Sequence, residues 1–170
     1  MKVQIRQGVF ETNSSSEHSV SVVPEDDWMT WTSGKSVARI KRSTEGAGCW
    51  GNFWSNLDEW EFTAPGPGTK KENENILRTW IDKEISEIKQ WCIDPEYDGG
   101  YDEYWKNRID ELSRWQMDMQ EVDNHTRFFT GCWVTFEEYM DALRNGDCYS
   151  PFEHSVPEQK VHIFGTYFHS

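Results

Sequence analysis

Basic residues are scarce in this chain of 170 residues: 17 Lys and Arg stand against 30 Asp and Glu, a net charge of −13. A surface so short of cations opposes binding to phosphate backbones or anionic lipid, because such binding draws on counterion release by Lys and Arg. No direct nucleic-acid or membrane partner is expected, and a basic protein surface is the favoured partner. Long apolar runs are missing as well. No stretch approaches the roughly 18 apolar residues that cross a bilayer. The opening Met1-Lys2-Val3-Gln4-Ile5-Arg6 lacks the apolar segment of a secretory signal, so a soluble, cytoplasmic protein is expected. Cysteine is limited to Cys49, Cys92, Cys132 and Cys148, with no C-x-x-C pair. That spacing excludes zinc ribbons and thioredoxin-type motifs, and the expected compartment favours reduced thiols. The five histidines, His18, His125, His154, His162 and His169, include no H-x-x-x-H. Neither a metal nor a cofactor is expected.

What the chain does have is aromatic rings. Its hydrophobic share of 36% is low enough to suggest disorder, but 10 Trp, 6 Tyr and 9 Phe make up 15% of the residues. Each buried ring removes about 150–250 Å² from water, so the tryptophans can supply the core that the aliphatic side chains cannot. The length suits a single domain over residues 1–170.

Both ends of the chain read as β. Val3 and Ile5 alternate with Lys2, Gln4 and Arg6, Val20 and Val22 with Ser19 and Ser21, and Val161 and Ile163 with His162 and Phe164. The polar stretch Glu11 to His18 is expected to connect the first two strands without extending either, because its short side chains compete for backbone hydrogen bonds. Residues 28–70, with Trp28, Trp31, Trp50, Trp54 and Trp60 and a basic island of Lys35, Arg39, Lys41 and Arg42, suggest short strands and wide turns. Ala64-Pro65-Gly66-Pro67-Gly68 reads as a non-helical surface connection, and 64–69 would be the place for an internal boundary.

The middle reads as helix. Leu77, Ile81, Ile85, Ile88 and Cys92 make one apolar stripe in a helix over 73–93, ended by Asp94-Pro95. A second helix over 102–122 carries Trp105, Ile109, Leu112 and Met119 on one face, and packs against the first as an antiparallel pair through the turn Tyr97-Asp98-Gly99-Gly100. A third spans 135–145, with Thr135 and Glu138 as a capping box and Asn145-Gly146 as its stop. The fold class is α+β: a small mixed or antiparallel sheet from the N- and C-terminal segments, packed on these three helices.

Two features carry chemistry. Consecutive hydroxyls and backbone N–H groups in the loop before His18 can form a concave anion site, although Asn and Ser belong in any turn. The string Arg6-Gln7-Gly8-Val9-Phe10-Glu11-Thr12-Asn13-Ser14-Ser15-Ser16-Glu17-His18-Ser19 resembles the opening of small proteins encoded by phages and mobile elements, R-x-G-V-F-E-T-N-S-S-S-x-H-S. The resemblance covers residues 6–19. It implies phage origin, hence the cytoplasm of a bacterial host cell, and a shared site of Arg6, Glu11, Asn13, Ser14, Ser15, Ser16 and His18. It implies no particular reaction.

The second feature is acidic density. Ten acids lie between Asp94 and Asp123, against Lys106, Arg108 and Arg114, so the second helix is expected to show a negative face of Asp102, Glu103, Asp110, Glu111, Asp118 and Glu121. Carboxylates on a helix approach the spacing of duplex phosphates, and an acidic protein can thereby occupy another protein's nucleic-acid channel. An ordinary solvated helix face would have the same composition. Adjacent acids such as Glu137-Glu138 point in different directions on a helix and do not indicate acid–base catalysis.

Two classes of function follow. One is an acidic accessory protein that inhibits a basic host protein, a nucleic-acid-handling or anti-phage defence factor, as a nucleic-acid mimic. The other is an enzyme or small-ligand binder whose Asn13–His18 loop holds a phosphate-bearing or nucleotide-like ligand.

Overall fold

A computed structural model describes residues 17–41, 59–91, 102–145 and 149–168. The class is α+β, with two small antiparallel sheets among the described residues. Strands β1 (Glu17–Pro24), β4 (Tyr149–Val156) and β5 (Val161–Phe168) form an antiparallel sheet in the order β1-β5-β4. The two ends of the chain thus share one sheet, as their alternation suggests. Glu17 and His18 belong to β1, paired with Phe168 and Tyr167, and not to the preceding connection. Ladder pairing with β5 outweighs their turn preference.

The inward faces of the strands correct the simplest reading of the alternation. Ser21 and Val23 are buried while Val22 is half-buried, and on β5 it is His162 and Phe164 that are buried. Register explains this: Ser21 faces Phe164 and Val23 faces His162, so the four share one side of the sheet. The Trp60 indole N–H donates to Ser21 Oγ at 2.8 Å, which satisfies the buried hydroxyl.

Residues 25–32 form helix α1 (Glu25–Thr32), where strands and turns were expected. Glu25, Asp26 and Asp27 occupy its first turn, where carboxylates favour the helix dipole. Trp28 and Trp31, three apart, fall on one face and are both buried. The short strands β2 (Val37–Lys41) and β3 (Glu59–Thr63) follow as an antiparallel pair.

Helix α2 (Pro67–Trp91) begins six residues before the apolar stripe predicts, so Pro67 and Gly68 are helical after all. Proline is tolerated in the first turn because its missing N–H would have no intrahelical acceptor there. Helix α3 (Asp102–Met117) stops short of residue 122. The Asp118 side chain accepts from Gln120 N at 2.9 Å and starts a short 3-10 turn. Asp123 then caps a further short helix, α4 (Asn124–Phe129), through Thr126 N at 2.7 Å. Gly131, at φ 82°, turns the chain back so that Val134 bridges Ala38 of β2.

Helix α5 (Phe136–Asn145) has the expected capping box: Glu138 N donates to Thr135 Oγ1 at 3.1 Å and Thr135 N donates to Glu138 Oε2 at 2.7 Å. Helices α2 and α3 pack antiparallel, since Trp91 meets Trp105 at one end and Trp80 meets Trp115 at the other.

Two clusters make the core. One is aromatic, gathering Trp28, Trp31, Phe128, Tyr139 and Phe164 from α1, α4, α5 and β5. The other is mainly aliphatic, with Leu77, Ile81, Ile85 and Ile88 of α2 against Leu112 and Trp115 of α3, and with Val122 and Cys132.

Candidate functional site

Of the residues expected to form an anion site, Arg6, Glu11, Asn13, Ser14, Ser15 and Ser16 lie outside the described residues, as do Val3, Ile5 and the turn Tyr97 to Gly100. His18 sits in β1 opposite Tyr167. Cys49, Cys92 and Cys148 also fall outside. Cys132 is a buried free thiol, and burial pushes its pKa up, which keeps it protonated and inert at neutral pH.

The expected acidic face divides into two parts. Along α3 the side turned from the core carries Glu103, Lys106, Asn107, Asp110 and Arg114, all exposed, with Lys106 and Asn107 adjacent and the other steps three or four residues. Acids and bases alternate there. Arg108 is drawn against the core side, where its guanidinium lies 5.2 Å from the Trp115 ring centre and pairs with Glu111 at 2.5 Å. With Asp102, Glu103, Asp110 and Glu111 against Lys106, Arg108 and Arg114, the helix carries only −1.

The negative charge gathers instead where α3 ends. Asp118, Glu121 and Asp123 are all exposed within six residues, next to Met117, which is 82% exposed. The nearest following base, Arg127, is committed to the backbone: Nε donates to Val122 O at 2.8 Å, and the guanidinium also reaches Met119 O. Arg127 thereby holds the 3-10 turn closed beneath the carboxylates. Two of the three acids also serve as caps, Asp118 and Asp123. The predicted face thus keeps Asp118 and Glu121 together and adds Asp123 and Met117. Sequence reading counts Asp123 among the ten acids of this region but leaves it and Met117 out of the face, with the helix drawn to residue 122. The Asp118 cap and the Asp123 cap, five residues apart, were the available signal that the helix breaks there.

A second polar cluster joins the two cores. Arg39 of β2 donates to Glu61 of β3 at 2.8 Å and to Glu72 of α2 at 2.6 Å, with its guanidinium 4.3 Å from the Trp133 ring centre. The Trp133 indole donates to Glu72 at 2.8 Å. Asn73 pairs with the Trp133 backbone in both directions, accepting from N at 2.7 Å and donating to O at 2.8 Å. The Trp133 N–H, with Arg39 behind it, holds the Glu72 carboxyl below the usual carboxylate range, and Arg39 does the same for Glu61. Lys41 of β2 also pairs with Glu61, at 3.6 Å, and these other side-chain bonds run between members of the cluster. Its chemistry is that of a clasp.

Two further titratable groups outside the clasp are shifted. Glu84 on α2 is pushed up by burial and by Glu87. His125 is pushed down by burial, against the opposing pull of Asp123, and its ring packs 4.4 Å from that of Phe129. Glu137 and Glu138 line an open cavity of about 360 Å³ with Asn124, Thr135, Asp141 and Arg144. Glu138 is turned to its cap and Glu137 faces solvent, so the neighbouring carboxyls diverge. Among the described residues no group of three His, Cys, Asp or Glu is placed to hold a metal ion. No helix there is long and apolar enough to cross a membrane. No family model, curated protein or solved structure matches the chain.

Proposed function

We propose that this is an acidic accessory protein of phage origin that binds and inhibits a basic host protein, with its carboxylates occupying positions otherwise taken by nucleic-acid phosphates. The partner is a nucleic-acid-handling or defence factor. The observation that carries this reading is the corner after α3, where Asp118, Glu121 and Asp123 stand exposed on a turn tied down by Arg127 and beside an exposed Met117. Charges on a pre-ordered turn lose little conformational freedom on association, and an apolar neighbour adds area that excludes water. The net charge of −13 steers a cationic partner from a distance. The resemblance of residues 6–19 to small phage proteins supports the origin.

The test is capture of partners from a bacterial host lysate, identification of the retained protein, and titration of that purified protein with variants. Neutralising the corner as Asp118→Asn, Glu121→Gln and Asp123→Asn preserves both caps, since Asn caps as well as Asp. Affinity is expected to fall at least about tenfold, with a weaker dependence on salt because fewer charges remain to be screened. Ser15→Ala with His18→Ala is expected to leave binding intact. The opposite pattern, or a retained protein that is itself acidic, overturns the reading in favour of the ligand-holding loop.

A further inference from the structure

A helix face turned to water need carry no pattern of charge, and the outward face of α3 carries one. Glu103, Lys106, Asp110 and Arg114 alternate in sign along it, with Asn107 among them and Met117, 82% exposed, at its end. At 3.6 residues per turn these six positions fall within about 100° of the helix circumference, opposite Trp105, Ile109 and Leu112 of the aliphatic core. Lys106, Asp110 and Arg114 are spaced four apart, as are Lys83 and Glu87, which pair on α2 at 3.6 Å. None of the four charged groups on this face of α3 makes an ion pair with another described residue.

The order of signs selects the occupant. A uniformly basic or uniformly acidic partner would meet like charge at every second position. A second copy laid parallel would set each charge against its like. Laid antiparallel, with a twofold axis near residue 108, a second copy brings Lys106 against the partner's Asp110 and Glu103 against the partner's Arg114. Symmetry makes each of these pairs occur twice. Met117, at either end of the paired helices, adds apolar area that the charged positions lack.

We infer that the outward face of α3 is a self-complementary surface through which two copies of this chain associate as an antiparallel dimer. This association does not depend on what the acidic corner binds. It places the two corners at opposite ends of the helix pair, roughly 30 Å apart by helix rise, so that a dimer offers two acidic sites to one partner. Exposed ion pairs contribute little one by one, and the dimer is accordingly weak, with a dissociation constant on the order of 100 µM.

The experiment is sedimentation velocity on the whole protein, from about tenfold below that concentration to about tenfold above it. The salt is about 0.15 M, where screening over roughly 8 Å subdues the repulsion between two molecules of charge −13. Native protein is expected to pass from monomer to dimer across the range. Arg114→Glu sets acid against acid at both ends of the contact and is expected to weaken the dimer at least about tenfold. Adding Glu103→Arg to that variant is expected to restore it. The two positions lie about 16 Å apart along one helix, too far to compensate within a chain, so the rescue reads a contact between copies. Arg114→Gln keeps length and helix propensity, which guards against misfolding, and is expected to weaken the dimer about threefold with the melting temperature unchanged. Native protein that stays monomeric at the top of the range overturns the inference. So does a dimer that Arg114→Glu and Arg114→Gln leave unchanged, or one that Glu103→Arg fails to restore.

Discussion

The two cores of this protein are built from different side chains by different rules. The α2–α3 core is a stripe of Leu and Ile at helical spacing, closed by a second helix that follows in sequence. The aromatic core draws Val23, Trp31, Ile40, Phe128, Tyr139 and Phe164 from strands and helices along most of the chain. An aliphatic stripe packs through shape alone and tolerates small shifts. Rings pack with direction: Trp31, fully buried, lies 5.2 Å from both Phe136 and Tyr139 and 5.3 Å from Trp60, and donates its indole N–H to Val134 O at 3.1 Å. One core is replaceable in parts, while the other depends on a few large pieces.

The largest break in that contrast comes from Trp31→Ala. It removes a fully buried ring and leaves the Val134 carbonyl without its indole donor, and is expected to cost about 4 kcal/mol in urea unfolding. Because this core spans β1 to β5, the loss is expected to appear in every probe at once. Ile81→Ala, at an equally buried site in the aliphatic core, is expected to cost about 3 kcal/mol. Hydrogen exchange sharpens the comparison: amides of α2 and α3 are expected to lose more protection in this variant than those of β5. Equal loss everywhere would mean that the two cores open as one unit.

The smallest effect belongs to the clasp between them. Glu72→Gln weakens the bonds to Arg39 and Trp133 and is expected to cost about 1 kcal/mol at neutral pH. Glu61 and Glu72 have folded pKa values below the ordinary range. Their contribution is therefore complete above the unfolded carboxylate value of about 4.3, and is lost as pH falls through the lower folded values. Stability measured from pH 7 down into that acid range is expected to decline less steeply in Glu72→Gln than in the native protein. Parallel curves would remove Glu72 from the clasp.

Local patterns were legible because their physics is local. The stripe of Leu77, Ile81, Ile85 and Ile88 and the Thr135–Glu138 box depend on neighbours within one or two turns, and the structure has both. The pairing of β1 with β5 followed from two alternating segments with few other places to go. Helix α1 was not legible. Trp28, Thr30, Trp31 and Thr32 favour a strand by propensity while Glu25, Asp26 and Asp27 do not, and burial of Trp28 and Trp31 against α5 and β5 decides for the helix. The faces of β1 and β5 were likewise decided from outside, when Trp60 and Trp28 claimed Ser21 and His162. The Trp28 and His162 rings stack at 3.8 Å.

For the candidate surface, composition told how much negative charge the chain carries but not where it collects. Six acids assigned to one helix face were divided by the alternating bases of α3 and by the caps at Asp118 and Asp123. Charge, helical periodicity and capping are properties of residues and their near neighbours, so the order of amino acids determines them without reference to the rest of the molecule. Which carboxylates converge, which rings interlock and which arginine bridges two cores depend on contacts between residues far apart in the chain. Those free energies exist only once the elements have packed.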